Sequence, residues 1–414
     1  MSLLSILRIA WRSLWRHRRR TIITTLAISV GLTMTIFFRS LNEGSYAQLT
    51  SDAVRMHAGH VTIEHRDYRD APAIDLWVGD APHLREEIEK LPYVERTKAL
   101  ISGQGVARSG SGAVAVGIMG VEPAVEAKSS PIARRIVEGE YLSPTDKKKV
   151  VIGIELAKSL KLEVGKKLVL SSNDVEGNFV EELFRVKGIF QTGADEIDAY
   201  FIQAPIPALQ KLYGLEPDQV TQLGAILTEP EYEPQALKDI GKLVNGNHGK
   251  AVARSWQEVL PELAGFIRTD RGSGEIFVGI LIFLTLFTIF NTILMSILER
   301  EREFATLLAL GTPRKVIATQ VFFETALIGL LGCSVGALAG WAWAYRVQVH
   351  GWDVSSLYPD GVTVSGFAMD TVMRARVTWA LLWGYTTTVF WSVCAMGVLC
   401  LPKALRIPIV DTLR

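Results

Sequence analysis

Groups able to do chemistry are scattered through this chain, and none of them composes a catalytic set. Three histidines, His57, His60 and His65, gather around the alternating stretch GHVTIEH (Gly59–His65). Imidazoles this close can ligate a metal, but the alternation places them on a strand and its turn, so the reading is surface histidines and no metal. Asp195, Glu196 and Asp198 could bind a cation or form a solvated turn, and the turn is the reading kept. His65-Arg-Asp67 has the letters of a kinase triplet without a glycine-rich loop or DFG. Ser109-Gly-Ser-Gly112 joins two apolar stretches and lacks the lysine and helix of a phosphate loop. Gly-x-x-x-x-Gly-Lys-Ser/Thr, HExxH, GxSxG and CxxC are all missing, so the chain reads as a non-catalytic subunit whose energy comes from elsewhere.

What remains is a charged stretch suited to docking. Glu299-Arg-Glu-Arg-Glu303 is followed by a short apolar helical pattern and then by Gly-Thr-Pro-Arg-Lys, over Glu299–Ile317. It lies between two long apolar runs. If both cross a bilayer, it is a short structured cytoplasmic loop.

The elements that must position it follow from hydropathy. Of 414 residues, 49% are hydrophobic, and mean hydropathy is +0.23. About 20 apolar residues are needed per crossing, and four runs qualify: Thr21–Phe38, Ile276–Leu298, Val316–Tyr345 and Thr378–Leu401. Net charge is +1, which gives no argument for nucleic acid. Its distribution is informative. Arg8, Arg12, Arg16 and Arg18 to Arg20 precede the first run; Arg300, Arg302, Arg314 and Lys315 lie between the second and third; Lys403, Arg406 and Arg414 follow the fourth. Short basic loops face the cytoplasm, so both termini are expected there, with Arg346, Arg374 and Arg376 as a minor exception. The predicted class is a membrane α-helical protein with four transmembrane helices and a large mixed α+β extracytoplasmic domain inserted between helices 1 and 2.

The expected boundaries are an amphipathic cytoplasmic N-terminal helix (1–20), transmembrane helix 1 (21–42), a two-lobed outer domain ending in a stalk (43–275), helix 2 (276–298), the cytoplasmic coupling loop (299–315), helix 3 (316–345), a short outer loop (346–377), helix 4 (378–401) and a cytoplasmic tail (402–414). The N-terminal stretch reads equally as a helix in the headgroup layer or as the end of helix 1, and an uncleaved anchor is favoured over a signal peptide. In the outer domain a first lobe is expected from a strand at Gly59–His65, a helix at Pro82–Leu91 and a hairpin around Ser109–Gly112. A second lobe is expected from Lys147 to Val244, with Thr192–Asp198 as a turn and a strand at Ala199–Gln203. Trp256–Arg271 reads as a helical stalk that Gly272 and Gly274 could break. Cys333, Cys394 and Cys400 all fall in membrane runs, so no disulfide holds the outer domain.

Within the runs, Gly332, Gly336 and Gly340 recur every four residues and invite close helix packing, with Asn291 as a candidate interhelical hydrogen bonder. Glu324 is either functional or paired with a polar group near the inner interface.

Taken in order, these pieces resemble the permeases of the MacB/LolC/LolE/FtsX group of ABC transporters. The carriers are Ala10–Thr21, Glu299–Glu303, Leu308–Gly311, Arg314–Ile317, Phe323-Glu324 with the glycine spacing, and the ending Pro402–Arg414. Phe304-Ala305 and Thr312-Pro313 depart from the Ile-Gly and Ala-Ser common in relatives. The resemblance implies a bacterial inner-membrane subunit working as two permease copies, or one copy and a paralogue, with two cytoplasmic ATPase subunits. Those subunits would hold the ATP and Mg; this chain binds no cofactor. Glu299, Arg300, Arg302, Glu303, Leu308, Leu310, Gly311, Arg314 and Lys315 would contact the ATPase. ATP-driven closure would be transmitted mechanically to the outer domain. Gly59–Ile63 and Gly188–Gly193 with Asp198 look like the lipoprotein-releasing branch. In that branch a lipoprotein client would enter from the membrane lipids past Ile28, Leu32, Ile36, Phe283, Phe287 and Phe290, toward a periplasmic carrier. The alternatives are a MacB-like exporter of peptides or amphiphiles and an FtsX-like signal transmitter.

Overall fold

Two neighbouring helices open the chain: α1 (Leu3–Arg16), with arginines spaced along it, and α2 (Arg18–Met56). The computed structural model describes residues 3–16, 18–247, 250–356, 362–364, 367–369 and 372–405. It divides into two compact units: residues up to Ala47 with Thr269–Val354 and the chain from Val372, and Gln48–Arg268 with Ser355–Thr371. Helix α2 continues well past residue 42, the expected end of the first span.

The second unit is the α+β body. Its elements, in order, are β1 (Val61–His65), α3 (Ala81–Glu89), β2 (Val94–Ser109), β3 (Gly112–Val121), α4 (Pro123–Ser129), α5 (Pro131–Arg134), β4 (Ile136–Gly139), β5 (Lys149–Gly153), α6 (Ile154–Leu160), β6 (Lys167–Asn173), β7 (Phe179–Phe190), α7 (Asp195–Tyr200), β8 (Phe201–Pro205), α8 (Ile206–Tyr213), β9 (Gln222–Leu227), α9 (Glu233–Asn247), β10 (Ala251–Ser255) and α10 (Trp256–Val259). Six strands close a ring. β2 pairs with β3, β3 with β8, β8 with β5, β5 with β7, β7 with β6, and β6 returns to β2. Side chains point alternately in and out of such a wall. The pairs Val116/Ile118, Val150/Ile152 and Phe184/Val186 are accordingly buried together in the main core.

Strand β2 is long enough to serve twice. Its first half leaves the ring and pairs with β9; β9 pairs with β1, and β1 with β10. Leu84 and Ile88 of α3 and Ala236, Ile240 and Val244 of α9 are buried in the same core. The expectation of two lobes consecutive in sequence is corrected, because β9, α9 and β10 return to join β1 and α3. At the end of α2 the buried Lys98 donates to the carbonyl oxygens of Arg55 and Met56 (2.9 and 3.3 Å) and pairs with buried Glu126. A cation there complements the helix C-terminus.

Local readings also change. Thr192–Asp198 is not a plain turn, since α7 starts at Asp195, and the strand expected at Ala199–Gln203 is β8, beginning at Phe201. The stalk is broken at Leu260 rather than at Gly272 or Gly274, and α11 (Pro261–Glu299) runs through both glycines. Proline disfavours a helical residue before it and suits the first helical turn, whereas an interior glycine costs only about 1 kcal/mol.

Helix α12 (Glu301–Ala309), α13 (Arg314–His350) and α14 (Trp379–Leu405) complete the first unit. Among the described residues four helices are long and apolar enough to cross a membrane: α2, α11, α13 and α14. Helix α13 extends past the expected 316–345 at both ends. Beyond it, Trp352–Asp353 pairs antiparallel with Val372–Met373 inside what was expected to be a plain loop. The terminal residues 406–414, which contribute to the resemblance, lie outside the described residues.

Helix α13 packs closely on α2. A Cβ on Gly332 would lie 2.7 Å from Cβ of Ile28, one on Gly336 2.8 Å from the Ser29 carbonyl oxygen, and one on Gly340 3.0 Å from Cβ of Ile36. This approach lets Ser29 Oγ donate to the Gly332 carbonyl (3.0 Å) and Thr33 Oγ1 to that of Gly336 (3.1 Å). Ile28, Leu32 and Ile36 are thus buried in the helix core, so the structure corrects their assignment as client contacts. Asn291 is exposed and makes no interhelical bond among the described residues.

Candidate coupling helix and its anchor

The Glu299–Ile317 stretch folds around the short helix α12, which has one buried and one exposed face. Glu301 and Glu303 in the first turn of α12 suit the positive end of its dipole. Phe304 and Ala305 are buried in the membrane-unit core beside Ile297, Ile317 and Val321, and Leu308 packs against the same cluster. The helix ends in a two-bond cap. Gly311 N donates to the Leu308 carbonyl and Thr312 N to that of Leu307, both at 3.0 Å. Gly311 has φ +88°, a conformation glycine adopts without strain. Pro313 then stands at the N-cap of α13.

An ion pair fixes this helix. Arg300 is 8% exposed. Its Nη1 donates to both carboxylate oxygens of Glu324 (3.0 and 2.8 Å), its Nε reaches Glu303 at 3.3 Å, and its guanidinium lies 4.8 Å from the Phe304 ring centroid. Gln320 Nε2 adds a third hydrogen bond to Glu324 at 3.1 Å. A charge-assisted pair in which both carboxylate oxygens are bonded and a further donor is present offsets part of the desolvation of the buried charges. Arg300 is therefore a positioning residue, not the exposed docking charge expected. The polar partner left open for Glu324 is Arg300. Nothing in the sequence spacing signals this pairing: Arg300 is one of five alternating charges at Glu299–Glu303, and only Glu324 stands alone in an apolar run.

Leu308 is half-buried against the core, and the remaining expected coupling residues are accessible. Arg302, Glu303, Gly311, Arg314 and Lys315 are exposed, and Leu310 is 79% exposed. Leu307 joins this face although sequence reasoning passed over it. Two acidic groups meet the N-terminal arginines, Glu299 with Arg20 (3.7 Å) and Glu303 with Arg16 (3.3 Å). Such solvent-exposed pairs contribute little.

A second charged cluster was missed. Arg39, one residue past the first apolar run, is buried and reaches Glu275 at 2.7 Å and Glu43 at 3.5 Å. Glu43 also pairs with Arg271 (2.9 Å), Tyr385 Oη donates to Glu275 (3.3 Å), and Tyr46 Oη donates to Asp270 (2.5 Å). The cluster joins α2, α11 and α14. Its signal was the four-residue spacing of Arg39 with Glu43 and of Arg271 with Glu275.

In the α+β unit the titratable groups have structural roles. His60 Nδ1 accepts from Leu227 N (3.2 Å), and burial, helped by Arg55, lowers its pKa to about 4. His57 is likewise held at about 4 by burial and by Lys98. His65 Nδ1 accepts from Asp67 N. Asp198 is buried rather than solvated. It accepts from Thr192 N, Thr192 Oγ1 and Gly193 N, and burial raises its carboxyl despite these donors.

Among the client candidates, Phe283 and Phe287 are exposed on α11, whereas Phe290 is half-buried against the core.

Four apolar helices, an α+β body between the first two in sequence, and a rigid charged helix between the second and third define a membrane permease of the ABC type. Residues 21–243 match the MacB-like periplasmic core domain, and residues 275–409 match the FtsX-like permease C-terminal domain. The chain belongs to this family of MacB- and FtsX-like ABC transporter permeases. It is 22% identical over 330 residues to the lipoprotein-releasing system transmembrane protein LolC of Xylella fastidiosa (strain Temecula1), covering 77% of this chain and 72% of that protein. It is 23% identical over 402 residues to the macrolide export ATP-binding/permease protein MacB of Nitrosomonas europaea, covering 92% of this chain and 56% of that one. The crystal structure of the periplasmic region of MacB from Actinobacillus actinomycetemcomitans aligns over 48% of this chain and 89% of that one, at 14% identity and TM-score 0.36.

Proposed function

We propose that this chain is the non-catalytic permease subunit of an ATP-driven, mechanically transmitting transporter that releases lipoproteins from the inner membrane toward the outer membrane. The observation that carries the mechanical part is the exposed surface formed by Leu307 of α12, Leu310 just after it, and Arg314 and Lys315 at the start of α13, backed by buried Phe304 and the Arg300–Glu324 pair. A helix held this way passes a push on to α11 and α13 instead of absorbing it. In this reading the basic flanks place α12 and both termini in the cytoplasm, and the α+β unit lies in the periplasm. A cytoplasmic ATPase carrying ATP and Mg seats on α12, and a second permease copy or paralogue completes the assembly. Likeness to LolC supports a lipoprotein client, a lipid-side entry past Phe283 and Phe287, and a periplasmic carrier. The 92% coverage in the alignment with MacB favours a second reading, export of peptides or amphiphiles.

The test is mass spectrometry of the tagged chain purified in mild detergent with whatever remains bound. An ATPase with acylated lipoproteins is expected. An ATPase with a periplasmic adaptor or duct and no lipoprotein transfers the assignment to export. No ATPase, under conditions that preserve other membrane complexes, refutes the coupling role.

A further inference from the structure

Helices α1, α2 and α13 leave between them an apolar groove of about 410 Å3. Trp11, Trp15, Ile22, Leu26, Leu331 and Val335 line it, and no acidic residue does. Arg18, also in the lining, is pinned by its aromatic neighbour: its guanidinium lies 5.8 Å from the Trp15 ring centroid, and its Nε donates to the Trp15 carbonyl (3.3 Å). Arg16 and Arg20 have carboxylate partners, but Arg8, Arg12, Arg18 and Arg19 pair with none among the described residues. On α1, Arg8 and Arg12 each stand three residues before a groove tryptophan, hence beside it on the helix surface.

We propose that the groove binds one anionic phospholipid, with an acyl chain against the apolar lining and its phosphate on Arg18 and the neighbouring unpaired arginines. The chemistry is complementary throughout. Guanidinium groups recognise phosphate through charge-assisted hydrogen bonds, and tryptophans settle at the level of the headgroups. A second copy of the chain fits less well, because it would have to cover unpaired like charges beside an apolar cleft. The site is independent of the client and needs only that these helices sit in a membrane. The N-terminal helix is then held in place partly by lipid.

The test is native mass spectrometry of the full chain, delipidated in detergent and titrated with palmitoyl-oleoyl phosphatidylglycerol or with phosphatidylcholine of the same chains. Wild type is expected to bind phosphatidylglycerol about fivefold more tightly or better. Arg18→Gln, at an exposed position, removes that preference. Val335→Trp fills the groove and weakens both lipids, while Leu399→Trp on the exposed face of α14 changes neither. Equal affinity of wild type for the two lipids overturns the proposal, as does the same loss in Leu399→Trp. A shift from dimer to monomer in Val335→Trp with lipid binding intact also overturns it and makes the groove an interface between copies.

Discussion

Replacing Arg300 with Met removes the cation that faces Glu324 and leaves that carboxylate with Gln320 as its remaining donor. Removing one member of a buried pair costs about 3–5 kcal/mol, and replacing both with apolar residues of similar size is often close to neutral. Arg300 keeps slight exposure, so the lower end applies, about 3 kcal/mol for Arg300→Met. Glu324→Leu strands Arg300 with only Glu303, and a cost of about 2 kcal/mol is expected. The double variant Arg300→Met/Glu324→Leu is expected within about 1 kcal/mol of wild type, a coupling of about 4 kcal/mol between the sites. Local opening of α12 reports this directly, since 1.4 kcal/mol is a tenfold change in an opening equilibrium. Hydrogen exchange of the α12 amides in nanodiscs, read by mass spectrometry, should accelerate about 100-fold in Arg300→Met and return to within tenfold of wild type in the double variant. Additive effects in the double variant, or wild-type exchange in Arg300→Met, would show that Phe304 and Ala305 alone hold the helix.

Three further outcomes are expected. Gly332→Val drives a side chain into Ile28 and should cost about 1–3 kcal/mol, seen as lost helix association on denaturation in mixed micelles; Ile28→Ala in the same chain should recover part of it, and no recovery would mean that the two helices do not meet there. Leu310→Asp should leave thermal stability unchanged, because the side chain projects outward, yet weaken capture of the partner ATPase about 30-fold or more if Leu310 is an anchor of that interface; undiminished capture removes it from the docking face. For His60 the folded pKa of about 4 lies below the ordinary 6.5, so as pH falls the unfolded chain takes up the proton first. The stability from this group is full above about pH 6.5 and is lost between about 6.5 and 4, to a limit of about 3 kcal/mol. His60→Gln should therefore show a smaller fall in unfolding temperature from pH 7.5 to 4.5 than wild type, and an equal fall would refute this.

The crossings and the coupling helix were legible because their signals are local. An apolar run, a cluster of arginines and a Gly-Thr-Pro break each act within a few residues of chain. The glycine spacing of α13 was legible for the same reason, but its partner was not. Ile28, Leu32 and Ile36 form an apolar face that reads alike whether it meets lipid or another helix, and only the structure shows it against Gly332, Gly336 and Gly340. The Arg300–Glu324 pair spans 24 residues and two helices, with no period to betray it. In the α+β unit the apolar, valine-rich character of Gly112–Val121 and Lys149–Gly153 marked strands. It could not reveal that β6 closes on β2, or that β9 crosses back to β1, since register between distant strands leaves no trace in either strand alone.

That closure also settles where backbone remains free to recruit another chain. A ring of six strands uses up its own edges, and in the order β10-β1-β9-β2-β3-β8-β5-β7-β4 the outermost strands are β10 and β4. Unpaired strand edges are where extended peptides add themselves to a sheet. Among the described strands of this sheet, a partner that binds by strand addition finds an open edge along Ala251–Ser255, Ile136–Gly139 or Gly112–Val116, where β3 pairs with β2 alone.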